Sequence, residues 1–448
     1  MDIYSQVIHK SRYARYISEF KRRETWEETI RRFITYIEYK IKDKLDGSSL
    51  NKTVELEQAI LNLEVVPSMR LLMTAGEACE RDNISAYNCS YLAINNKRAF
   101  SEALYILMNG TGVGFSCERQ EIAHLPILPN SLQEVDDVII VGDSKLGWAK
   151  AFKKLLSALW EGDIPKIDYS RIRPAGARLK TFGGRASGPE PLQRLFEFSI
   201  NTFRNALGRK LNSIEVHDLM CMIGEVVVVG GIRRSALISL SNLTDHRMRE
   251  AKMGAWYIDN PHRGLANNSV AYTEKPNAEI FMEEWLSLVK SKSGERGIFN
   301  RIAAQKQASR WGRRDATLSY GVNPCAEIIL RDKSFCNLSE VVVRSDDTFE
   351  SLKRKVELAT ILGTIQSTLT DFNFLSEEWK KNTEEERLLG VSLTGIMDNG
   401  MLNGSKDCPE HFDLPDMLEE LRNIARKTNE EWSSKLGIPA SVAITCVN

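Results

Sequence analysis

The sequence predicts an α/β fold with much parallel sheet, and three observations carry that prediction. Short β-rich runs recur from about Val66 onward, helical patterns separate them, and the chain of 448 residues is long enough to bury a large core. With 42% hydrophobic and 27% charged positions the composition is that of an ordinary globular protein. Strands that alternate with helices in this way favour parallel pairing over hairpins.

Each element has its own signal. Thr25 and Glu28 stand in capping-box spacing, and Trp26, Ile30, Phe33, Ile34, Ile37 and Ile41 follow along one helical stripe, so residues 25–45 read as a helix within a helical N-terminal region, residues 1–65. Strands are expected at "DDVIIVGD" (136–143), "EVVVVGG" (225–231), "SALISL" (235–240), "NNSVAYT" (267–273) and "LSEVVV" (338–343). Helices are expected at residues 191–207, 278–291 and 349–372. Residues 169–192 are dense in Gly, Pro, Arg and Lys and read as an irregular loop segment. The last residues, "GIPASVAITCVN", have the texture of a strand with no turn, cap or polar tail after it, which suggests a fold continued elsewhere.

Charge and cysteine content narrow the function classes. Lys+Arg and Asp+Glu are 60 each, so bulk charge argues neither for nucleic acid nor for a membrane surface. No run approaches the ~18 apolar residues of a membrane span and the first residues lack the apolar core of a signal peptide, which places the protein in the cytoplasm. Eight cysteines (79, 89, 117, 221, 325, 336, 408 and 446) are too sparse for a secreted disulfide framework. None forms a CxxC pair, so catalytic or buried thiols are expected rather than a metal site.

One stretch concentrates chemistry. In "SYGVNPCAEIILRDKSFCNLSEVVV" an amide, a thiol and a carboxylate alternate as Asn323, Cys325 and Glu327, with Cys336 a short loop later. On an extended segment the three would share one face, and Pro324 restricts Asn323 to extended geometry. The spacing alone leaves a second reading open: a core strand with Cys325 as a small buried hydrophobe and Glu327 at a solvated edge.

"NPCAEI" followed by "FCNLSEV" resembles the active-site loop of ribonucleotide reductases, and other segments match the same family in its order. "VPSMRLLMTAG" (66–76) and "NCSYLA" (88–93) resemble its first strand region, "NGTGVGFS" (109–116) its glycine loop, and "GGIRRSALISL" (230–240) the loop and strand near its specificity site. The segment from "VGDSKLGWAKAF" to "FGGRASGPEPL" resembles the monomeric, adenosylcobalamin-dependent ribonucleoside-triphosphate reductases in particular. The family fold is a ten-stranded α/β barrel with a finger loop inside, and the resemblance implies that residues 66–448 form its first part, with the finger near 320–340.

The resemblance also implies roles. Cys325 would become the thiyl radical, Glu327 the base for the 3′-hydroxyl, Asn323 a positioning group, and Cys89 and Cys336 the redox pair that ends as a disulfide. Chemistry agrees with this assignment, because a thiol hydrogen is weak enough for a carbon radical to remove and a carboxylate can act as general base. Pairing of Cys89 with Cys336 requires their Cα atoms within about 7 Å. Ser68, Ser90 and Gly112 fall where the family contacts substrate. Arg233 and Arg234 fall in the loop joining effector and substrate base, where a planar guanidinium suits the task, although a solvated basic turn also explains them. An inserted effector-binding segment would occupy residues 143–217, with Arg173, Arg178, Lys180 and Arg185 as candidate triphosphate ligands. Cofactor and partners follow: adenosylcobalamin, a thioredoxin-type dithiol reductant, a deoxynucleoside triphosphate effector, and a C-terminal reductase polypeptide beginning at the phosphate loop that family members carry after this point. Two alternatives stay open, a nucleotide-binding fragment without chemistry and a large subunit whose radical comes from a separate diiron subunit.

Overall fold

Thr25 and Glu28 do form a capping box: Thr25 Oγ1 accepts the Glu28 N–H, and the Glu28 carboxylate accepts the Thr25 N–H at 2.8 Å. Helix α1 (Trp26–Ile41) starts there and buries the expected stripe of Trp26, Ile30, Phe33, Ile34, Ile37 and Ile41. The structure, a computed structural model, describes residues 3–45, 47–177, 185–229, 236–310, 312–406 and 413–445.

Along the chain follow β1 (Val65–Pro67), β2 (Cys89–Ala93), α2 (Arg98–Met108), β3 (Gly112–Ser116), β4 (Gln133–Ile140), α3 (Lys145–Glu161), β5 (Asp163–Asp168), α4 (Glu190–Asn205) and α5 (Ser213–Val229). Then come β6 (Leu237–Asn242), β7 (Ala266–Tyr272), α6 (Ala278–Ser291), β8 (Gly297–Asn300), α7 (Arg301–Ser309), β9 (Gly321–Val322) and β10 (Ile329–Leu330). The last are β11 (Ser334–Val342), α8 (Phe349–Gln366), β12 (Leu389–Thr394), α9 (Leu414–Leu436) and β13 (Ile444–Thr445). Seven of these helices and strands, α4, α6, α8, β4, β6, β7 and β11, lie within about six residues of their sequence-predicted positions.

Two units divide the chain. The first holds the described residues of Met1–Asn88 and Phe335–Asn448, the second those of Cys89–Leu179 and Gly184–Ser334. In the first, β11, β12 and β13 run parallel, with Leu338 opposite Gly390 and Leu389 opposite Ile444, while β1 pairs antiparallel with β11. Helices α8 and α9 are the crossovers between the parallel strands, and α8 is buried along most of its length.

In the second unit β2, β3, β6, β7 and β8 form a parallel sheet in that order. Strands β2 and β3 are buried at every residue, as a parallel sheet covered on both faces requires. Strands β4 and β5 stand apart as a two-stranded parallel pair with β4 largely exposed. The expected α/β class with parallel sheet is therefore present.

One element differs in kind. Residues 225–229 of the expected strand "EVVVVGG" are the last turns of α5, a 17-residue helix. Asn212 and Glu215 start it, since Asn212 Oδ1 accepts the Glu215 N–H at 3.0 Å and the Glu215 carboxylate accepts the Asn212 N–H at 2.9 Å. The helix buries Val216, Leu219, Met220, Cys221, Ile223, Val226 and Val227, and this burial overrides the β preference of the valines.

Candidate active site

The alternating residues do not lie on an extended strand. Strands β9 and β10 pair antiparallel as a short hairpin, Val322 opposite Ile329, and residues 323–328 form the turn between them. The Asn323 carbonyl accepts the Ala326 N–H at 2.9 Å, Pro324 takes the second position of that turn, and Ala326 sits at φ 67°, the left-handed region. This geometry separates the three side chains. Asn323 is fully buried, Cys325 is exposed at the tip, and Glu327 is half-buried.

Asn323 holds the turn together. Its Oδ1 accepts the Ile328 N–H at 2.9 Å, closing the loop from within, and its Nδ2 donates to Cys89 Sγ at 3.2 Å, tying the loop to the first residue of β2. Glu327 points one carboxylate oxygen, Oε2, into buried space without a hydrogen-bond partner. A buried carboxylate oxygen left so is costly unless a bound hydroxyl or other donor meets it.

Missing side chains make the seat on which the hairpin lies. A Cβ on Gly114 of β3 would stand 1.8 Å from the Val322 carbonyl oxygen, and one on Gly321 would stand 2.0 Å from the Tyr91 ring of β2. A Cβ on Gly112 would come within 3.0 Å of Pro324 Cγ. The glycine motif "GTGVG" thus has a local cause, because the backbone of β3 must admit the hairpin. Gly114 and Gly321 carry this role without having been singled out in the sequence.

A buried ion pair fixes the approach to the hairpin. Arg301, the first residue of α7, donates from Nη1 and Nη2 to both oxygens of Glu118, at 2.8 and 2.6 Å, and from Nε to the Tyr320 carbonyl at 2.8 Å. Burial pushes the Glu118 carboxyl up, but the Arg301 fork and charge, with Ser116 and Gln120, outweigh it and hold the group below the usual carboxylate range. At the far side the Ala93 N–H donates to Asp332 Oδ1 at 2.7 Å, and Arg314 donates to the Ile329 carbonyl at 3.1 Å. Nothing in the local sequence marks Glu118 and Arg301 as partners, since 183 positions separate them.

The remaining site residues fall as follows. In the second unit Ser90 is fully buried on β2 and its Oγ donates to the Gly112 carbonyl at 2.9 Å, while Cys89 is buried beside Asn323. In the first unit Ser68 is buried with its Oγ lacking a hydrogen-bond partner, and its N–H donates to Gln366 Oε1 at 3.3 Å. Cys336, buried on β11, accepts through its carbonyl the N–H of Asn88, the residue before Cys89, at 3.1 Å. Burial pushes the thiols of Cys117 and Cys221 well above their usual range and that of Cys79 upward, which suits inert core residues.

Effector candidates are partly committed elsewhere. Arg173 pairs with Asp143, its Nε 2.9 Å from Oδ2, and Arg185 Nη1 donates to the Gly176 carbonyl at 2.9 Å. Arg178, Lys180, Arg233 and Arg234, with Cys408 and Cys446, lie outside the described residues. Among the described residues no cluster of His, Cys, Asp and Glu could hold a metal ion, and no helix is long and apolar enough to cross a membrane.

No protein-family profile matches the chain. Among solved structures, a B12-dependent (class II) ribonucleotide reductase superposes with a TM-score of 0.83 at 23% identity, over 98% of this chain and 72% of that one. The class Id ribonucleotide reductase alpha subunit of Actinobacillus ureae superposes less well, with a TM-score of 0.54 at 12% identity over 98% and 69%. The fold is thus that of the ribonucleotide reductases. In sequence, the adenosylcobalamin-dependent ribonucleoside-triphosphate reductase of Lactobacillus acidophilus is 27% identical over 98% of this chain and 70% of its own length. That of Lacticaseibacillus paracasei is 28% identical over 88% of this chain and 61% of its own length. The chain is a homologue of the adenosylcobalamin-dependent, class II ribonucleoside-triphosphate reductases and spans 70% and 61% of the length of these two.

Proposed function

We propose that the chain carries the radical-bearing loop of an enzyme that reduces ribonucleoside triphosphates to 2′-deoxyribonucleotides. The observation that carries this reading is the turn at 323–328: a buried Asn323 closes it, an exposed Cys325 forms its tip, and Glu327 keeps one buried oxygen unpartnered. In this reading the chain carries the first part of the family's ten-stranded α/β barrel. Catalysis also uses a polypeptide equivalent to the remaining part of the relatives.

Adenosylcobalamin, when bound, supplies the carbon radical that removes the thiol hydrogen, and an exposed thiol at a turn tip fits such a donor. The protein's own groups do the rest. A thiyl at Cys325 takes the 3′ hydrogen of the ribose, and Glu327 Oε2 accepts the 3′-hydroxyl proton, filling its vacant hydrogen-bonding position. Asn323 keeps the turn rigid, and Ser68 Oγ offers a second unpartnered polar atom to substrate. Cys89 and Cys336 give two electrons and two protons as the 2′-hydroxyl leaves as water, and become a disulfide. A thioredoxin-type dithiol restores the pair. Arg233 and Arg234 pass the identity of a bound deoxynucleoside triphosphate to the substrate site.

The test is turnover with adenosylcobalamin, a dithiol, ribonucleoside triphosphates and the completing polypeptide. Wild type is expected to form deoxyribonucleotide and Cys325→Ser to form none. Product from that variant overturns the assignment, and a tyrosyl signal in electron paramagnetic resonance in place of a thiyl one points to a separate diiron subunit.

A further inference from the structure

Strand β7 is buried at every residue except Asn267, which is exposed. Gly114, Ile238 and Asn267 stand in register across β3, β6 and β7, and a Cβ on Gly114 would meet both the Val322 carbonyl and Ile238 Cγ2. Residues opposite one another in parallel strands project to the same face, so Asn267 belongs to the face on which the hairpin lies. From there its Nδ2 donates to the Pro324 carbonyl at 3.4 Å. That carbonyl is part of the peptide unit leading into Cys325. Because a peptide unit is planar, holding its oxygen also fixes the plane from which the Cys325 Cα and thiol depart.

The bonds of the turn itself do not do this. Those that Asn323 makes inside the turn reach the N–H groups of Ala326 and Ile328, past the tip. An exposed position on an otherwise buried strand does not by itself call for an amide, and the carbonyl that Asn267 meets accounts for one.

Both neighbours of Asn267 are pinned, which fixes where it stands. Lys252 Nζ donates to the Ala266 carbonyl and pairs with Glu295 Oε2 at 2.7 Å, and the same oxygen accepts the Asn268 N–H at 2.9 Å. Asn268 points to the opposite face and is buried, its Oδ1 accepting from Ser239 Oγ at 3.3 Å and lying 2.9 Å from His217 Nε2. Behind His217 stands Asp218, 3.1 Å from Nδ1, and Arg263 donates to both Asp218 oxygens at 2.8 and 2.7 Å. Of two adjacent asparagines, one thus serves the fold and the other reaches the hairpin.

We infer that Asn267 is a positioning residue of the candidate active site, setting the Cys325 tip of the turn through the Pro324 carbonyl. Its chemical purpose, a thiol held where hydrogen abstraction proceeds, rests on the function proposed above. The placement itself is measurable in the chain alone.

Amide hydrogen exchange, read by mass spectrometry on the peptide spanning 323–328, tests the placement. Asn267→Leu keeps the size and removes the donor, and is expected to speed exchange in that peptide by about threefold or more, the scale of one neutral hydrogen bond. Asn267→Gln keeps the amide and is expected to stay within about twofold of wild type. Helix α1 is expected to exchange at wild-type rates in both, with equal urea midpoints, because the substituted side chain is exposed. Unchanged exchange at the turn in Asn267→Leu, or failure of Asn267→Gln to keep the protection, overturns the inference. So does faster exchange throughout the chain with a lower urea midpoint, which marks a structural role. In turnover with the completing polypeptide, adenosylcobalamin and a dithiol, Asn267→Leu is expected to lower kcat about tenfold with KM within about twofold of wild type. An unchanged kcat, or a raised KM with kcat unchanged, overturns the positioning role. If the turn loosens as expected and wild type forms no deoxyribonucleotide, the proposed function fails while the placement stands. If wild type turns over and the turn in Asn267→Leu does not loosen, the inference fails while the function stands.

Discussion

Two parts of the second unit handle exposure in opposite ways. The β9–β10 hairpin presents one reactive side chain, Cys325, and fastens everything around it: Asn323 inside the turn, Gly114 of β3 and the Tyr91 ring of β2 against it, Arg301 and Glu118 behind it. Helix α6 fastens one buried carboxylate, Glu284, and leaves five large apolar side chains, Phe281, Met282, Trp285, Leu286 and Val289, in the open. The first pattern is that of a turn fixed from several sides, the rigidity that the proposed radical chemistry would use. The second is that of a helix whose orientation is set by its buried polar side rather than by its apolar one.

Substitutions can break this contrast or sharpen it. The largest loss is expected at Gly114→Ala, because the new methyl would meet backbone, the Val322 carbonyl at 1.8 Å, with no flexible side chain to yield. Overpacking of this kind costs about 3 kcal/mol or more, read as a lower urea midpoint, together with a changed alkylation rate at Cys325 as the hairpin lifts. An unchanged midpoint and alkylation rate would remove the glycine seat from the account.

Glu118→Gln comes next, since it leaves the Arg301 charge buried without its counter-ion, a loss of about 3 kcal/mol at neutral pH. The pH dependence follows from the direction of the shift. Glu118 is held below the carboxylate range in the folded chain and regains it on unfolding, so its contribution is full above the unfolded value near about 4.3. That contribution is lost as pH falls through the folded value. The acid limb of stability against pH is therefore expected to be shallower in Glu118→Gln than in wild type, and equal slopes would argue against the pair. The smallest effect belongs to α6: Trp285→Glu in the chain alone is expected within about 0.5 kcal/mol of wild type, because the side chain is already in water. A larger loss would mean that these side chains are packed within the unit after all.

Legibility in the sequence tracks how local each cause is. The capping box at Thr25 and Glu28 and the apolar stripe after it involve neighbours along one helix, and α1 follows them closely. The valines at 226–229 prefer strands, yet they end a buried helix whose start, Asn212 with Glu215, is a quieter local signal than four β-branched residues. At the site, the chemical identity of Asn323, Cys325 and Glu327 was legible while their arrangement was not. Period-2 alternation presumes an extended backbone, and a turn closed by the Asn323 side chain and a left-handed Ala326 replaces it. Arg301 with Glu118 and Gly321 with Tyr91 depend on chain crossings that no window of neighbouring residues contains.

Gly114 and Gly321 also constrain how this protein can vary over time. Most core positions tolerate drift because one apolar side chain can be exchanged for another and neighbours repack. A seat defined by the absence of a side chain has no such neighbours in sequence space, since every single substitution adds atoms where backbone or an aromatic ring already stands. Descendants of this chain can change what the hairpin carries far more readily than where it lies.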